Sequence, residues 1–436
     1  MSFYSSGIVT RLLDPELDNS ARTEFRLNAD TLYLANMRLL NVGLVKSGGT
    51  ATKYNGLTGA MSCIRNITLL DGSVQLDAVR NVSQWAGFKG NNMSNTKGIN
   101  MYNTLVKNER GYITEGVDSE AIVAPAKAAT FFHLQSFRNA GAVTTDVNTT
   151  DVAWIDLQTL FPLLSSAKAL NTSMFKNLRL VIEWQTDYDY VLLINDGAIS
   201  HIQPLLVVDE LVNSDIKTQM MKDMSPIEYV SLENDSIYVP PVAGVRVATP
   251  NPVQSGVYAV QGFNNKRVNR MLIQKEATQA VTYKNVNTNI SYGKSASLGM
   301  PAEAWQVRLN GSSLYPGVGV DKANQTQAIL TDTWGSSIQP LGGVLAYANQ
   351  TTLMNKGSEQ MGHANYLGFS LNGKLVKDLY ITYSRKGQSD TAGGRPDTDA
   401  GQQTALYNQA LRLNIWAEIQ REIVFNGKGN YIVRYV

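Results

Sequence analysis

The feature that most constrains this chain is a strict alternation of apolar and polar side chains that recurs in separate stretches. Leu411, Leu413, Ile415, Ala417 and Ile419 fall on one side of a segment whose other side is Arg412, Asn414, Trp416, Glu418 and Gln420. Successive side chains of a strand point to opposite faces, so a period of two predicts a long half-buried strand here. Leu178, Leu180, Ile182 and Trp184 alternate in the same way with Arg179, Glu183 and Gln185, as do Leu379, Ile381 and Tyr383 with Tyr380 and Thr382. Antiparallel sheets with one packed face carry this pattern. An all-β chain is the expectation.

Turn chemistry agrees. Asp-Gly and Asn-Gly pairs supply the positive φ that a two-residue hairpin turn needs, and they fall between strand-like runs at Asp71-Gly72, Asn310-Gly311 and Asn372-Gly373. Helical signals are few. Val212, Ile216 and Met220 share one face of a segment ending before Pro226, and Trp154 to Leu164 reads as a short helix broken at Pro162.

Two echoes suggest a tandem duplication. Leu70-Asp71-Gly72-Ser73 returns as Leu309-Asn310-Gly311-Ser312, 239 residues on, and Leu178-Arg179-Leu180-Val181-Ile182 returns as Leu411-Arg412-Leu413-Asn414-Ile415, 233 residues on. A true repeat produces one offset twice, and these nearly agree. The length of 436 residues is about twice the ~200 residues at which single cores begin to divide. Between the halves, a segment of helical character near 209–224 precedes the turn-rich Val239-Pro240-Pro241-Val242-Ala243-Gly244 and Thr249-Pro250-Asn251-Pro252. Three polar stretches, Lys386 to Thr404, Arg138 to Asp151 and Gly87 to Tyr102, read as exposed loops.

Charged residues are only 17% of the chain, below the ~25% usual for soluble domains, so Asn, Thr, Ser, Gln and Gly must supply much of the polar surface. A formal net charge of +2 with interleaved signs is not the footprint of a DNA-coating protein, and sequence-specific nucleic-acid binding is not expected. Cys63 is the one cysteine, so no internal disulfide is expected. Met1 to Gly7 lacks a basic segment followed by an apolar one, and no run reaches the ~18 apolar residues of a membrane span. The sequons at Asn66, Asn148, Asn289 and Asn349 are therefore read as unused.

Motifs that could carry chemistry are weak. Gly368-Phe369-Ser370-Leu371-Asn372-Gly373-Lys374-Leu375 matches a phosphate-binding loop until Leu375, where a Mg²⁺-binding hydroxyl is required. A strand-like run follows it, whereas a phosphate loop must open a helix. His133, His201 and His363 show no metal-ligand spacing. Asp187 and Asp189 share a face at a probable strand end, but surface charge is the commoner reason for such a pair. No catalytic, cofactor or metal residue is assigned. Trp416 is different: it sits opposite the apolar face of its strand, so a second element or another subunit must cover it. It is taken as the candidate subunit contact.

The order of these features resembles the double jelly-roll major capsid proteins of adenoviruses, virophages, polinton-like viruses, large nucleocytoplasmic DNA viruses and related bacterial viruses. The residues that carry the resemblance are the strand and hairpin Cys63 to Gly72, the strand Leu178 to Gln185, the closing run Leu411 to Phe425, and Tyr431 to Val436. The compact length is similar to that of virophage-like and polinton-like members. The resemblance implies two tandem eight-stranded jelly-roll β-sandwiches with few short helices: an N-terminal arm 1–25, a first jelly roll 26–212, a linker 213–252 and a second jelly roll 253–436. It further implies a non-enzymatic homotrimer that forms pseudo-hexagonal capsomers of an icosahedral virion shell assembled in the host cytoplasm or nucleus. Neighbouring capsomers, penton and minor capsid proteins, and an internal membrane reached by residues 1–25 are the implied partners. An attachment or minor capsid protein, a carbohydrate-binding β-sandwich, or a polysaccharide-degrading enzyme would share the β-rich composition and is kept as an alternative.

Overall fold

The computed structural model describes residues 7–49, 52–53, 59–85, 142–143, 153–167, 169–188, 191–192, 197–241, 253–277, 304–314, 320–321, 366–386 and 410–436. The expected alternation builds antiparallel sheets. In the first half the strands run, in chain order, Ile8–Leu13, Arg22–Arg26, a broken third strand Leu32–Leu34 and Arg38–Val42, Ile64–Asp71, Val74–Arg80, a broken sixth strand Ala153–Asp156 and Ala169–Asn171, Leu178–Trp184, and Leu205–Leu211. In the second half they are Ile227–Val239, Val253–Ala259, Arg267–Ala277, Ala304–Leu309, Ser312–Ser313, Tyr366–Leu375, Leu379–Lys386 and Leu411–Gly427.

Both halves share one topology. The first, eighth, third and sixth strands lie side by side in one sheet, and the second, seventh, fourth and fifth in the other. This is the jelly-roll arrangement, two sheets packed face to face. The inward residues make two cores. Phe25, Leu39, Ile67, Leu180 and Val208 belong to the first, and Met271, Trp305, Phe369, Ile381, Leu413 and Ile415 to the second.

The structure corrects several boundaries. Ile8–Leu13, within the expected arm, pairs along its whole length with Leu206–Leu211 and is the first strand of the first sandwich. It lies at a sheet edge, with Leu12 61% exposed, and so carries no alternating signature. Ile227–Val239, within the expected linker, is the first strand of the second sandwich and pairs throughout with Leu411–Ile423. Its pattern is obscured because it serves two cores: Tyr229 and Leu232 join the first, Ile237 and Val239 the second.

Local signals were also redirected. Pro162 opens the helix Pro162–Ser166 instead of breaking one, because proline at the first helical position lacks only an N–H that has no intrahelical partner. The segment Ser214–Met221 is helical as expected, with the Asn213 side chain accepting from the amides of Asp215 and Ile216 at 3.2 Å. Asn310-Gly311 is a hairpin turn with both φ positive. Asn372-Gly373 has the same φ signs but forms an irregularity within Tyr366–Leu375, opposite a register shift between Val268 and Arg270.

Only one of the two sequence echoes marks equivalent positions. The Gly72 and Gly311 hairpins both join fourth and fifth strands. Leu178–Trp184, however, is a seventh strand and Leu411–Gly427 an eighth. The structural counterpart of Leu178–Trp184 is Leu379–Lys386.

Candidate functional site

No cluster of three or more His, Cys, Asp or Glu side chains suited to a metal occurs among the described residues. The most elaborate constellation is instead the seam between the sandwiches. From the first half come the fifth strand, Val74–Arg80, and the helix Pro162–Ser166; from the second come the outer face of the sheet containing Ile227–Val239 and Leu411–Gly427, and the hairpin strand Asn430–Tyr435. Leu411–Gly427 is long enough to serve both cores. Leu413, Ile415, Ala417 and Ile419 fill the second, while Trp416 and Ile423 join the first.

Val74–Arg80 departs from simple alternation: Leu76, Asp77, Ala78 and Val79 are all buried, which means that both faces of the strand are covered. Its backbone acceptors are used by the second half. Tyr229 Oη donates to the carbonyl of Leu76, Arg421 Nη1 to the same carbonyl at 3.3 Å, and Trp416 Nε1 to that of Arg80 at 3.1 Å. The ring of Trp416 lies 5.8 Å from that of Trp85.

Asp77 sits fully buried at the meeting point. Its Oδ2 accepts from the amide of Leu163 at 3.0 Å, in the first turn of Pro162–Ser166, and its Oδ1 from Ser231 Oγ at 3.1 Å and the amide of Ala78 at 3.0 Å. Burial pushes this carboxyl up to about 6, although the three hydrogen bonds and Arg421 pull the other way. Burial likewise raises Tyr229.

A second polar tie lies at the far end of the seam. Asp71 accepts from the amides of Lys176 at 2.9 Å and Asn177 at 2.5 Å, and from Tyr431 Oη at 2.7 Å. Tyr431 and Phe425 both pack edge-on against Phe175, at 5.3 and 5.6 Å. Burial, and then the hydrogen bond to Asp71, raise the Tyr431 phenol.

Two grooves flank these contacts. One, of about 530 Å³, is lined by Trp85, Pro162, Asn372 and the Arg270–Glu418 ion pair; that pair is bidentate at 2.6 and 2.7 Å. The other, of about 370 Å³, is lined by Phe175, Met220, Ile227 and Phe425. The constellation holds two sandwiches together.

No family model matches the sequence, and no curated protein matches it either. Solved structures do match in fold over nearly the whole chain. A chain of the PBCV-1 virus capsid aligns with TM-score 0.57 and 11% identity, over 100% of this chain and 98% of that one. A chain of the Sputnik virophage aligns at 0.58 and 9%, over 98% and 88%, and the Faustovirus major capsid protein at 0.54 and 9%, over 96% and 90%. The fold is the double jelly roll of viral capsid proteins.

On this double jelly roll the sequence-derived candidates separate. Trp416 is 0% exposed and is covered by Trp85 and Arg80 of its own chain. Of the two ways its face could be buried, the structure shows the second element, so Trp416 is an intrachain contact and not a subunit contact. The phosphate-loop-like 368–375 lies within the strand Tyr366–Leu375. His201 stacks on Trp184 at 4.6 Å, with its Nε2 2.9 Å from Asp18 Oδ1. Cys63 is buried in the first core, and burial pushes its thiol up. His133, His363, Asp189 and nearly all of the three polar loops lie outside the described residues.

Asp77, Tyr229 and Arg421 were not anticipated. A single acidic residue inside Val74–Arg80, between Leu76 and Ala78, was the signal that could have marked Asp77.

Proposed function

We propose that this chain is a structural major capsid subunit, without catalytic activity, that trimerises into pseudo-hexagonal capsomers and tiles the icosahedral shell of a DNA virus. The observation that carries this reading is the pairing of two sandwiches of identical strand order in one chain, joined by a buried seam. Three such chains present six similar units around an axis, so a hexagonal outline follows from threefold symmetry. The virion is the proposed location. Neighbouring capsomers, penton and minor capsid proteins, and an internal membrane are the proposed partners. Because Ile8–Leu13 is committed to a sheet, contact with a membrane through the N-terminal arm would fall to the residues ahead of it.

Light-scattering mass of the purified protein, with negative-stain imaging of the same sample, tests this. A particle of three chains of 47.8 kDa with a hexagonal outline is expected. A monomer at micromolar concentration would overturn the reading and direct attention to glycan binding and hydrolysis.

A further inference from the structure

A further pocket on the seam, of about 370 Å³, has walls from both halves. Gln75 and Arg80 come from the fifth strand of the first sandwich, and Glu233, Asn234, Arg421 and Tyr435 from the second. Two guanidinium groups therefore face it, one from each sandwich.

Arg421 is only 9% exposed. Tyr229, Arg421 and Tyr435 are register partners across three adjacent strands, which sets the guanidinium carbon 5.9 and 5.3 Å from the two ring centres. A guanidinium carries five N–H donors. Two bonds from Arg421 reach carbonyls, of Leu76 at 3.3 Å and Gln75 at 3.5 Å, while its Nε has no partner. Ring faces and carbonyls offer only partial charge, and a buried charge without a counter-ion is costly. Among the described residues no carboxylate lies within ion-pair distance of Arg421, or of Arg80, whose side chain is exposed and makes no printed bond of its own.

The acidic groups near the pocket are already engaged. Glu233 takes Lys266 Nζ at 2.5 Å and the Tyr435 hydroxyl at 2.8 Å. Asp77 feels the charge of Arg421 but accepts from Leu163, Ser231 and Ala78. Lys266 adds a third cation, 4.8 Å from the centre of the Tyr435 ring.

We propose that this pocket binds a phosphate group, with Arg80 and Arg421 as its cationic contacts, and that the bound anion fastens the two jelly rolls to each other. The tetrahedral oxygens of phosphate can take donors from two guanidinium forks that approach from different strands. A ligand held by one residue of each half binds the docked halves and not the separated ones, so it stabilises the folded chain by mass action. The site lies within one chain and stands or falls apart from the oligomeric state.

Calorimetric titration and thermal unfolding of the full chain with millimolar sodium phosphate, against sodium chloride of matched ionic strength, test this. Saturable binding at one site per chain is expected, with an unfolding temperature that rises with phosphate and not with chloride. Arg80→Gln alters an exposed side chain without an ion pair, so it should fold as the unaltered chain does and bind phosphate about tenfold more weakly or worse, the loss of one hydrogen bond between charged groups. Lys374→Gln, at an exposed cation outside the pocket, should bind as the unaltered chain does. Glycerol phosphate in a parallel titration separates two sources of the group: equal affinity identifies a phosphate monoester as an accepted ligand, and weaker binding identifies the free anion. No saturable binding, a rise reproduced by chloride, or an Arg80→Gln variant that binds as tightly as the unaltered chain overturns the proposal.

Discussion

Trp416 Nε1 reaches the carbonyl of Arg80 at 3.1 Å across 336 positions of sequence, tying the eighth strand of the second sandwich to the fifth strand of the first. An indole has one donor and no acceptor, and burying that donor unpaired costs free energy, which this bond offsets. Trp416→Ala removes both the ring and the tie, and a loss of about 3–5 kcal/mol is expected in denaturant unfolding. Trp416→Phe keeps most of the packing and should cost about 1 kcal/mol for the lost hydrogen bond. Equal losses for the two variants would show that the ring does not pack as described.

Asp77 makes the seam more stable in mild acid than at neutral pH. Its carboxyl is raised by burial from 3.8 to about 6, so the folded state favours the protonated form. The stability this contributes is fully present below pH ~4 and is lost as pH rises through about 6, by at most about 3 kcal/mol. Asp77→Asn should flatten this dependence, at the cost of turning one amide N–H toward a donor. Unfolding free energies of both proteins at pH 4.5 and pH 7.5 give the comparison, and a variant with the wild-type pH dependence would rule Asp77 out as its source.

Tyr431 donates to a carboxylate, Asp71 Oδ2, at 2.7 Å. Hydrogen bonds to charged groups contribute about 1.5–3 kcal/mol, and Tyr431→Phe should lose that amount while keeping the contacts with Phe175 and Phe425. The same loss should follow in Asp71→Asn with Tyr431 already replaced only if Asp71 acts through Lys176 and Asn177 as well; a double-mutant cycle separates the two contributions.

Gly373 has φ +67°, and an added Cβ would approach Asn269 Oδ1 at 3.3 Å. Left-handed backbone costs a side-chain-bearing residue about 1–2 kcal/mol, so Gly373→Ala should lower stability by roughly that amount. At Gly256, where φ is not left-handed, an added Cβ would meet the Tyr258 ring at 2.5–2.9 Å, so Gly256→Ala tests steric conflict without backbone strain. Thermal unfolding of both variants distinguishes the two causes.

Much of the architecture was legible because strand periodicity is a local property. Leu411, Leu413, Ile415, Ala417 and Ile419 all enter the second core as their alternation required, and the Asn310-Gly311 turn joins neighbouring strands as its φ preference required. What periodicity cannot encode is which strands become neighbours. The 233-residue echo therefore paired a seventh strand with an eighth, and Asn372-Gly373, identical in chemistry to a hairpin turn, became an irregularity inside a strand.

The sequence by itself determined that the chain is built of antiparallel strands joined by tight turns, since alternation and turn residues act over a few positions whatever lies elsewhere. Tertiary structure alone decided what covers each sheet's outer face. Trp416 was marked by its strand as needing cover, but whether Trp85 or another subunit supplied it depended on how the sandwiches dock. Asp77 and Tyr229 acquired their roles the same way: their partners, Ser231 and the Leu76 carbonyl, lie more than 150 positions away, and burial between two sandwiches is what shifts their protonation.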